Sequence, residues 1–298
     1  NKRIHVIHSN TYIPALSGQV ASSLTGIPHV VTFHDVYSLL GSNFWDRWMG
    51  QTSSRVNLWT VARGLESVVA RLPVKAFHTV SEISSDDLVR FGVNRPIRVI
   101  PNGVELSDYT SSDSRADGRP FALYIGRLVF YKNIPTILHA TKRVVAVRPE
   151  FRLVIVGGGP LTSKLAELAN SLGIAANTVF VGVVSHSEKV RLLNECSFLV
   201  LPSLFEGFGL VILEAFACHR PVICSDLRPM SDLVMSGSEG ILVEPRDHHA
   251  WAKAMLHLLE DAHSASEMGV RGHQKVLKSF TIQRACDELE DLYMSIIS

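Results

Sequence analysis

Short runs of β-branched and aliphatic residues alternate with longer helical stretches along this 298-residue chain, and that rhythm leaves few architectures open. Strands separated by helical segments do not close as hairpins; they join by crossovers and build parallel sheets with helices on the faces. The clearest series is Ala122–Ile125, Arg152–Val156, Thr178–Val181, Phe198–Leu201, Pro221–Cys224 and Gly240–Val243, enough for a complete Rossmann-like domain. A shorter series precedes it: Ile4–His8, His29–His34, Ala76–Val80 and Ile97–Ile100. Within it Ser81 reads as the N-cap of a helix that carries Glu82, Asp86 and Asp87 and that Gly92 ends. The polar, turn-rich stretch between the series reads as a linker. The expected division is therefore a partial N-terminal domain at 1–106, a linker at 107–120, a second domain at 121–280 and a C-terminal helix at 281–298.

With 46% hydrophobic residues the chain can bury two cores of ordinary size. Lys plus Arg number 29 against 28 Asp plus Glu, which leaves no electrostatic footprint for nucleic acid. No apolar run approaches the ~18 residues that span a bilayer, and the first residues enter a strand without a signal-peptide core. The four cysteines (Cys196, Cys218, Cys224, Cys286) lack C-x-x-C spacing and read as reduced core residues of a cytoplasmic protein. Arg47, Arg55, Arg63 and Arg71 repeat every eight residues, which drifts about 80° per step on a helix. They read as a solvated face rather than a membrane stripe, with peripheral contact at the inner membrane face left open. The histidines show no metal-ligand spacing, so no metal is expected, and there is no G-x-S-x-G elbow.

Chemistry concentrates in Leu201–Ala217, which reads as a strand end, a glycine-punctuated loop and a helix. Glu206 stands at the mouth of the loop, and Glu214 lies inside an otherwise apolar helix, where a bare carboxylate is costly. Gly207, Phe208, Gly209 and Leu210 lie between them, where free backbone N–H groups and the helix dipole suit a phosphate. If most of the eight steps are helical, the acids stand roughly 12 Å apart, too far to flank one bond as glycosidase carboxylates do. The competing reading is a loop acid and a helix acid paired with a distant Arg. Gly126, Arg127 and Lys132 follow another strand end, where a guanidinium fork and an ammonium suit a diphosphate. Gly157-Gly158-Gly159 follows a third strand, as a nucleotide-facing loop or merely a tight turn. Val183 follows a fourth, and His34 ends an N-terminal strand.

Four ordered stretches resemble one family: Pro28–Asp35 ending in His34, Val99-Ile100-Pro101-Asn102-Gly103-Val104-Glu105, Ile125-Gly126-Arg127-Leu128 with Lys132, and Glu206 to Glu214 as an E-x7-E pair. The chain resembles the retaining glycosyltransferases of family 4 ("glycosyl transferases group 1"). That resemblance implies the GT-B fold: α/β, two Rossmann-like domains with parallel sheets, here with the N-terminal one incomplete and the final helix crossing back onto it. It implies a UDP- or GDP-sugar donor, no separate cofactor, and a sugar, glycolipid or other hydroxyl acceptor. Glu206, His34, Arg127 and Lys132 would then be catalytic. Gly126, Arg127, Lys132, Val183, Gly207 to Leu210 and Glu214 would bind the donor, with Glu206 on sugar hydroxyls and Glu214 on the ribose. Departures are Phe130-Tyr131 before Lys132, Cys218-His219-Arg220 before a strand, and Asp232 in place of a longer acid.

The family's fold also supplies a first strand and Gly-Gly loop ahead of the position that Ile4 matches. Their absence here leads to the expectation of an uncovered apolar sheet edge, a partner or dimer that covers it, and weak transfer until the segment is restored. Three alternatives stay open: a non-catalytic nucleotide-sugar-binding subunit, an epimerase or sugar phosphorylase of the same architecture, and a plain NAD-type Rossmann protein.

Overall fold

The structure, a computed structural model, describes residues 4–50, 58–109 and 119–297, which fall into two compact units. Unit 1 comprises Asn1–Asn102 with Ile282–Ser298, and unit 2 is Gly103–Thr281. Both are parallel α/β folds.

Unit 1 runs β1 (Ile7–Asn10), α1 (Tyr12–Thr25), β2 (His29–Phe33), α2 (Gly41–Met49), α3 (Leu58–Val69), β3 (Ala76–Thr79), α4 (Glu82–Arg90) and β4 (Ile97–Val99). Its strands pair in the order β1-β2-β3-β4, all parallel. β1 starts three residues later than the sequence reading placed it. The cause is Pro28, which accepts from Ile7 N–H at 2.9 Å but has no N–H to donate, so the ladder opens at Ile7 opposite His29. β1 pairs with β2 alone among the described residues, and its side chains are partly exposed apart from Ser9. All five residues of β2 are buried, and Val31, Phe33, Phe77 and Leu88 anchor the core between sheet and helices. Ser81 caps α4 by accepting from Ser84 N–H at 3.3 Å.

Unit 2 runs β5 (Phe121–Ile125), α5 (Ile134–Val147), β6 (Arg152–Val156), α6 (Thr162–Ser171), β7 (Thr178–Gly182), α7 (His186–Glu195), β8 (Phe198–Leu201), α8 (Leu210–Ala217), β9 (Val222–Ser225), α9 (Met230–Leu233), β10 (Gly240–Val243), α10 (His248–Glu260) and α11 (Ala262–Ser279). The sheet order is β10-β9-β8-β5-β6-β7, the doubly wound arrangement in which the first and fourth strands of the domain lie side by side. Crossovers leave β5 and β8 in opposite directions, so the loops after these two strands part and open a crevice at their carboxyl ends. Trp251, Phe151 and Phe198 are fully buried in the core.

Of the linker expected at 107–120, residues 110–118 lie outside the described residues. The residues just before them belong to unit 2: Leu106–Tyr109 form a 3-10 turn, and Tyr109 is buried. Unit 2 therefore begins at Gly103, where Val104 bridges Thr281 and donates to Phe280 O at 2.9 Å. The last helix, α12 (Ile282–Ile297), belongs to unit 1, with Leu292 packed among Val30, Ala76 and Ile100. Cys196, Cys218 and Cys224 are buried; Cys286 on α12 is exposed, so the reading of all four as core residues fails for that one.

Candidate active site

Three strand ends of unit 2 are stitched together by main-chain bonds. Gly126 N–H donates to Val156 O at 3.0 Å, Leu128 N–H to Gly158 O at 2.9 Å, and Gly157 N–H to Gly182 O at 2.7 Å. A Cβ on Gly157, which has φ +126°, would stand 1.9 Å from Gly126 O. The triple glycine is thus a place where two loops touch backbone to backbone, which neither a plain turn nor a dinucleotide fingerprint requires. On this base the Arg127 carbonyl accepts from Tyr124 OH at 3.0 Å, and the Arg127 guanidinium donates to Tyr131 OH. Lys132 closes the short 3-10 turn Phe130–Lys132. Val183, beyond β7, is 85% exposed.

The loop after β8 is tied to the loop after β5 by Leu204 N–H on Tyr131 O at 2.7 Å. That juxtaposition delivers Lys132 Nζ to Glu206 Oε1 at 2.5 Å, and the same oxygen accepts from Ser203 Oγ at 2.7 Å. Phe208 is buried against Phe280, and Gly209 takes the left-handed conformation (φ +92°) just before α8. Because α8 starts only at Leu210, four of the eight steps from Glu206 to Glu214 are helical, and the 12 Å spacing inferred from the sequence does not carry over. Glu214 itself is 7% exposed. Its Oε1 accepts from Lys189 Nζ at 2.7 Å and from Tyr109 OH at 3.1 Å. Burial first, then the neighbouring Glu214 carboxylate, pushes the Tyr109 phenol up, so it remains a donor.

The two acids share one pattern. Each has Oε1 held by one ammonium and one hydroxyl, while Oε2 accepts no hydrogen bond from the described residues and is not sealed from solvent. The partner of Glu214 is thus a lysine on α7, where the sequence reading weighed a distant Arg. Ser203, Tyr109 and Lys189 were absent from that reading. Ser203 lies within the E-x7-E stretch and could have been found by its spacing; Lys189 sits on a helix rich in charge, with no local mark.

In unit 1, His34 stands just past β2. Its Nε2 pairs with Asn10 Oδ1 at 2.9 Å, its carbonyl accepts from Ser84 Oγ at 2.9 Å, and burial pulls its pKa down. The following loop is clamped by Glu66 of α3, 0% exposed, which accepts from Tyr37 N–H at 3.0 Å, Ser38 N–H at 2.9 Å, Tyr12 OH at 2.6 Å and the Ser38 hydroxyl.

A polar chain also crosses this sheet. The Ile100 carbonyl can only accept, so His78 Nε2 donates to it (3.2 Å), and His78 Nδ1 must accept from Thr32 (2.8 Å). Thr32 then accepts from His8 Nε2 (2.6 Å), whose Nδ1 accepts from Tyr293 OH (2.5 Å). Both histidines are neutral in this scheme, and burial, then His78 and His29, lower His8 to about 4. Among the described residues no group of three or more His, Cys, Asp or Glu is placed to hold a metal ion.

Residues 109–275 match the glycosyl transferases group 1 family, and residues 1–108 match glycosyltransferase family 4. The chain belongs to the glycosyl transferases group 1 family. Among its curated relatives, alpha-maltose-1-phosphate synthase of Mycolicibacterium smegmatis is 28% identical over 98% of this chain and 79% of the relative. A glycogen synthase of Mycobacterium tuberculosis is 27% identical over 98% of this chain and 69% of its own length. Of solved structures, sucrose-phosphate synthase from Thermosynechococcus elongatus aligns with a TM-score of 0.82 at 24% identity, over 98% of this chain and 73% of that one. Anabaena HepE, solved with UDP and glucose, aligns at 0.83 and 20% identity, over 98% and 78%. These likenesses establish the GT-B glycosyltransferase fold for this family member.

Proposed function

We propose that the chain moves a sugar from a UDP- or GDP-sugar to an acceptor hydroxyl, with retention of configuration and without a divalent ion. The observation that carries this reading is the matched pair of glutamates in unit 2, each with one oxygen fixed by a lysine and the other open. A carboxylate held in that way is an acceptor for ligand hydroxyls. Glu206 is assigned to the donor sugar and Glu214 to the ribose. The diphosphate is assigned to Arg127, Lys132 and the N–H groups at the start of α8, beside Gly207 to Leu210. Gly126 and Val183 are assigned main-chain contacts to the nucleotide. His34, neutral because of burial, is assigned a hydrogen bond to a sugar hydroxyl. HepE with UDP and glucose, and relatives named alpha-maltose-1-phosphate synthase and glycogen synthase, support a hexosyl donor.

The chemistry follows from the charge that develops. The bond from the anomeric carbon to the diphosphate oxygen breaks while the acceptor oxygen bonds to that carbon on the same face. The acceptor proton passes to the departing phosphate oxygen. Arg127, Lys132 and the α8 dipole stabilise the negative charge that grows on the diphosphate. Glu206 has one oxygen committed to Lys132 and Ser203, which fits hydroxyl binding better than attack on the sugar. No helix among the described residues is long and apolar enough to cross a membrane. We place the reaction in the cytoplasm, with a glycolipid acceptor bringing the protein to the inner membrane face as one case of the acceptor screen.

The test is turnover with UDP-, GDP- and ADP-glucose, with and without acceptor and EDTA, the product anomer read by NMR. Retained configuration, acceptor dependence and full activity in EDTA are expected. Arg127→Ala should lower kcat on the order of 10²–10³-fold. Inverted product, rescue by Mn²⁺ or Mg²⁺, or an Arg127→Ala enzyme as active as wild type would overturn the reading.

A further inference from the structure

We infer that Lys189 and Tyr109 are positioning residues for the nucleoside half of the donor: they fix Glu214 so that its Oε2 meets the ribose hydroxyls. This rests on the reading of the donor as a nucleoside diphosphate sugar and adds two residues to it. Glu214 lies in the sequence Leu-Val-Ile-Leu-Glu-Ala-Phe-Ala, and its neighbours Leu213, Ala215 and Phe216 are 0% exposed. A carboxylate in such a helix, with 9% of its side chain exposed, needs a counter-charge. Lys189 of α7 supplies it at 2.7 Å.

The second hydroxyl donor matters as much as the charge. A lone ammonium can swing between the two oxygens of a carboxylate. Lys189 and Tyr109 both land on Oε1, and two donors arriving from different elements fix the rotation of the carboxylate plane. Tyr109 is itself held: its ring meets His186 edge-on at 5.7 Å, and its carbonyl accepts from Cys218 Sγ at 3.9 Å. Three segments distant in sequence thus converge on one oxygen: the turn before β5, the crossover helix α7 and the helix α8.

The same construction on Glu206 shows that this is more than an incidental tie between two helices. There Lys132 and Ser203 share Oε1 in the same way. Each acid of the E-x7-E pair thus carries its own lysine and its own hydroxyl. Each lysine neutralises its own acid before the ligand binds, Lys132 at the acid assigned to the donor sugar and Lys189 at the acid assigned to the ribose. A salt bridge that only stiffens the fold would not need the second oxygen left open.

The experiment dissects the ligand. Calorimetry on the full chain measures three probes: whichever of UDP, GDP and ADP binds wild type tightest, its monophosphate, and pyrophosphate. Lys189→Met should weaken the diphosphate and the monophosphate alike by about 10–100-fold, the worth of a charge-assisted hydrogen bond, and leave pyrophosphate within about twofold. Donor KM should rise while kcat at saturation stays within about threefold. Lys189→Arg should restore most of the affinity, and Tyr109→Phe should cost about 3–10-fold. Should Lys189→Met fold poorly, Lys189→Met with Glu214→Gln removes the unpaired charge and should recover stability but not monophosphate affinity. Wild-type monophosphate affinity in either Met variant, or an equal loss for pyrophosphate, overturns the inference while the donor reading stands. A wild type that binds none of the nucleotides overturns the donor reading and this one with it.

Discussion

Glu66 in unit 1 and Glu214 in unit 2 are both buried glutamates, and they are satisfied in opposite ways. Glu66 in unit 1 is 0% exposed, and both its oxygens are filled by two backbone N–H groups and two hydroxyls, every donor neutral. Glu214 in unit 2 is 7% exposed, and its two donors, one of them a cation, crowd onto a single oxygen. A carboxylate with no acceptor capacity left can only hold its own chain together, and Glu66 holds the loop that follows His34. One with an unused oxygen is poised for something that is not protein. Burial alone does not separate these cases; the distribution of donors over the two oxygens does.

The contrast can be broken by mutation, and the largest effect is expected at Glu66. Glu66→Ala strands two N–H groups and two hydroxyls in a dry site, at about 1–3 kcal/mol for each group that finds no new partner. Urea unfolding should show the unit 1 transition destabilised by at least about 3 kcal/mol, with unit 2 unmoved. An unchanged unit 1 transition would show that the clamp is not structural. Next comes Glu214→Gln, which keeps the shape and removes the charge. It should cost nucleotide affinity about 1.5–3 kcal/mol, whereas Glu66→Gln should leave that affinity alone. Equal nucleotide affinities for the two Gln variants would erase the distinction drawn between them.

Acid should then separate the units. Burial is the leading cause that lowers His8, His29, His34 and His78 in unit 1, and it lowers His219 and His248 in unit 2. A histidine lowered in the folded state is protonated first in the unfolded chain. Its contribution is therefore complete above pH about 6.5 and is lost as pH falls, for His8 down to about 4. The unit 1 urea midpoint should fall more than that of unit 2 across this window, and the reverse order would contradict the neutral histidine chain. The smallest effect is expected for Ser203→Ala, where Lys132 still holds Glu206: about 0.5–1.5 kcal/mol in kcat/KM, or roughly 3–10-fold. A loss as large as that of Arg127→Ala would mean that the hydroxyl, rather than the lysine, sets the position of Glu206.

Much of this was legible in the residues. Arg152–Val156, Phe198–Leu201 and Gly240–Val243 are strands with the bounds that β-branched runs and flanking turn residues suggest, and Ser81 caps α4. Lys132 and Glu206 were both singled out as site residues, yet their mutual contact was not foreseen. It spans 74 residues and depends on β5 and β8 being neighbours, which local pattern cannot reveal. Glu214 was recognised as needing a partner, but Lys189 is 25 residues away and Tyr109 is 105. Glu66 went unnoticed because a single acid in an amphipathic helix looks like a solvated residue, and its donors, Tyr37 and Ser38 after His34 and Tyr12 on α1, are 28 residues or more away. Periodicity reports which side of an element is buried; which group answers a buried charge is decided by topology.

The histidine chain ties residue 8 to residue 293, and Leu292 packs on Val30 and Ala76, so unit 1 is assembled from the two ends of the described chain. Unit 2 is contiguous, from Gly103 to Thr281. During synthesis the contiguous unit can fold as soon as it has emerged. The four-stranded sheet, although made first, must wait for its last helix, and the bridge of Val104 to Thr281 closes most of that long loop once unit 2 has folded. The order of completion is thus the reverse of the order of translation, and until α12 arrives the nascent chain carries an open apolar sheet face, the state in which a chaperone would find it.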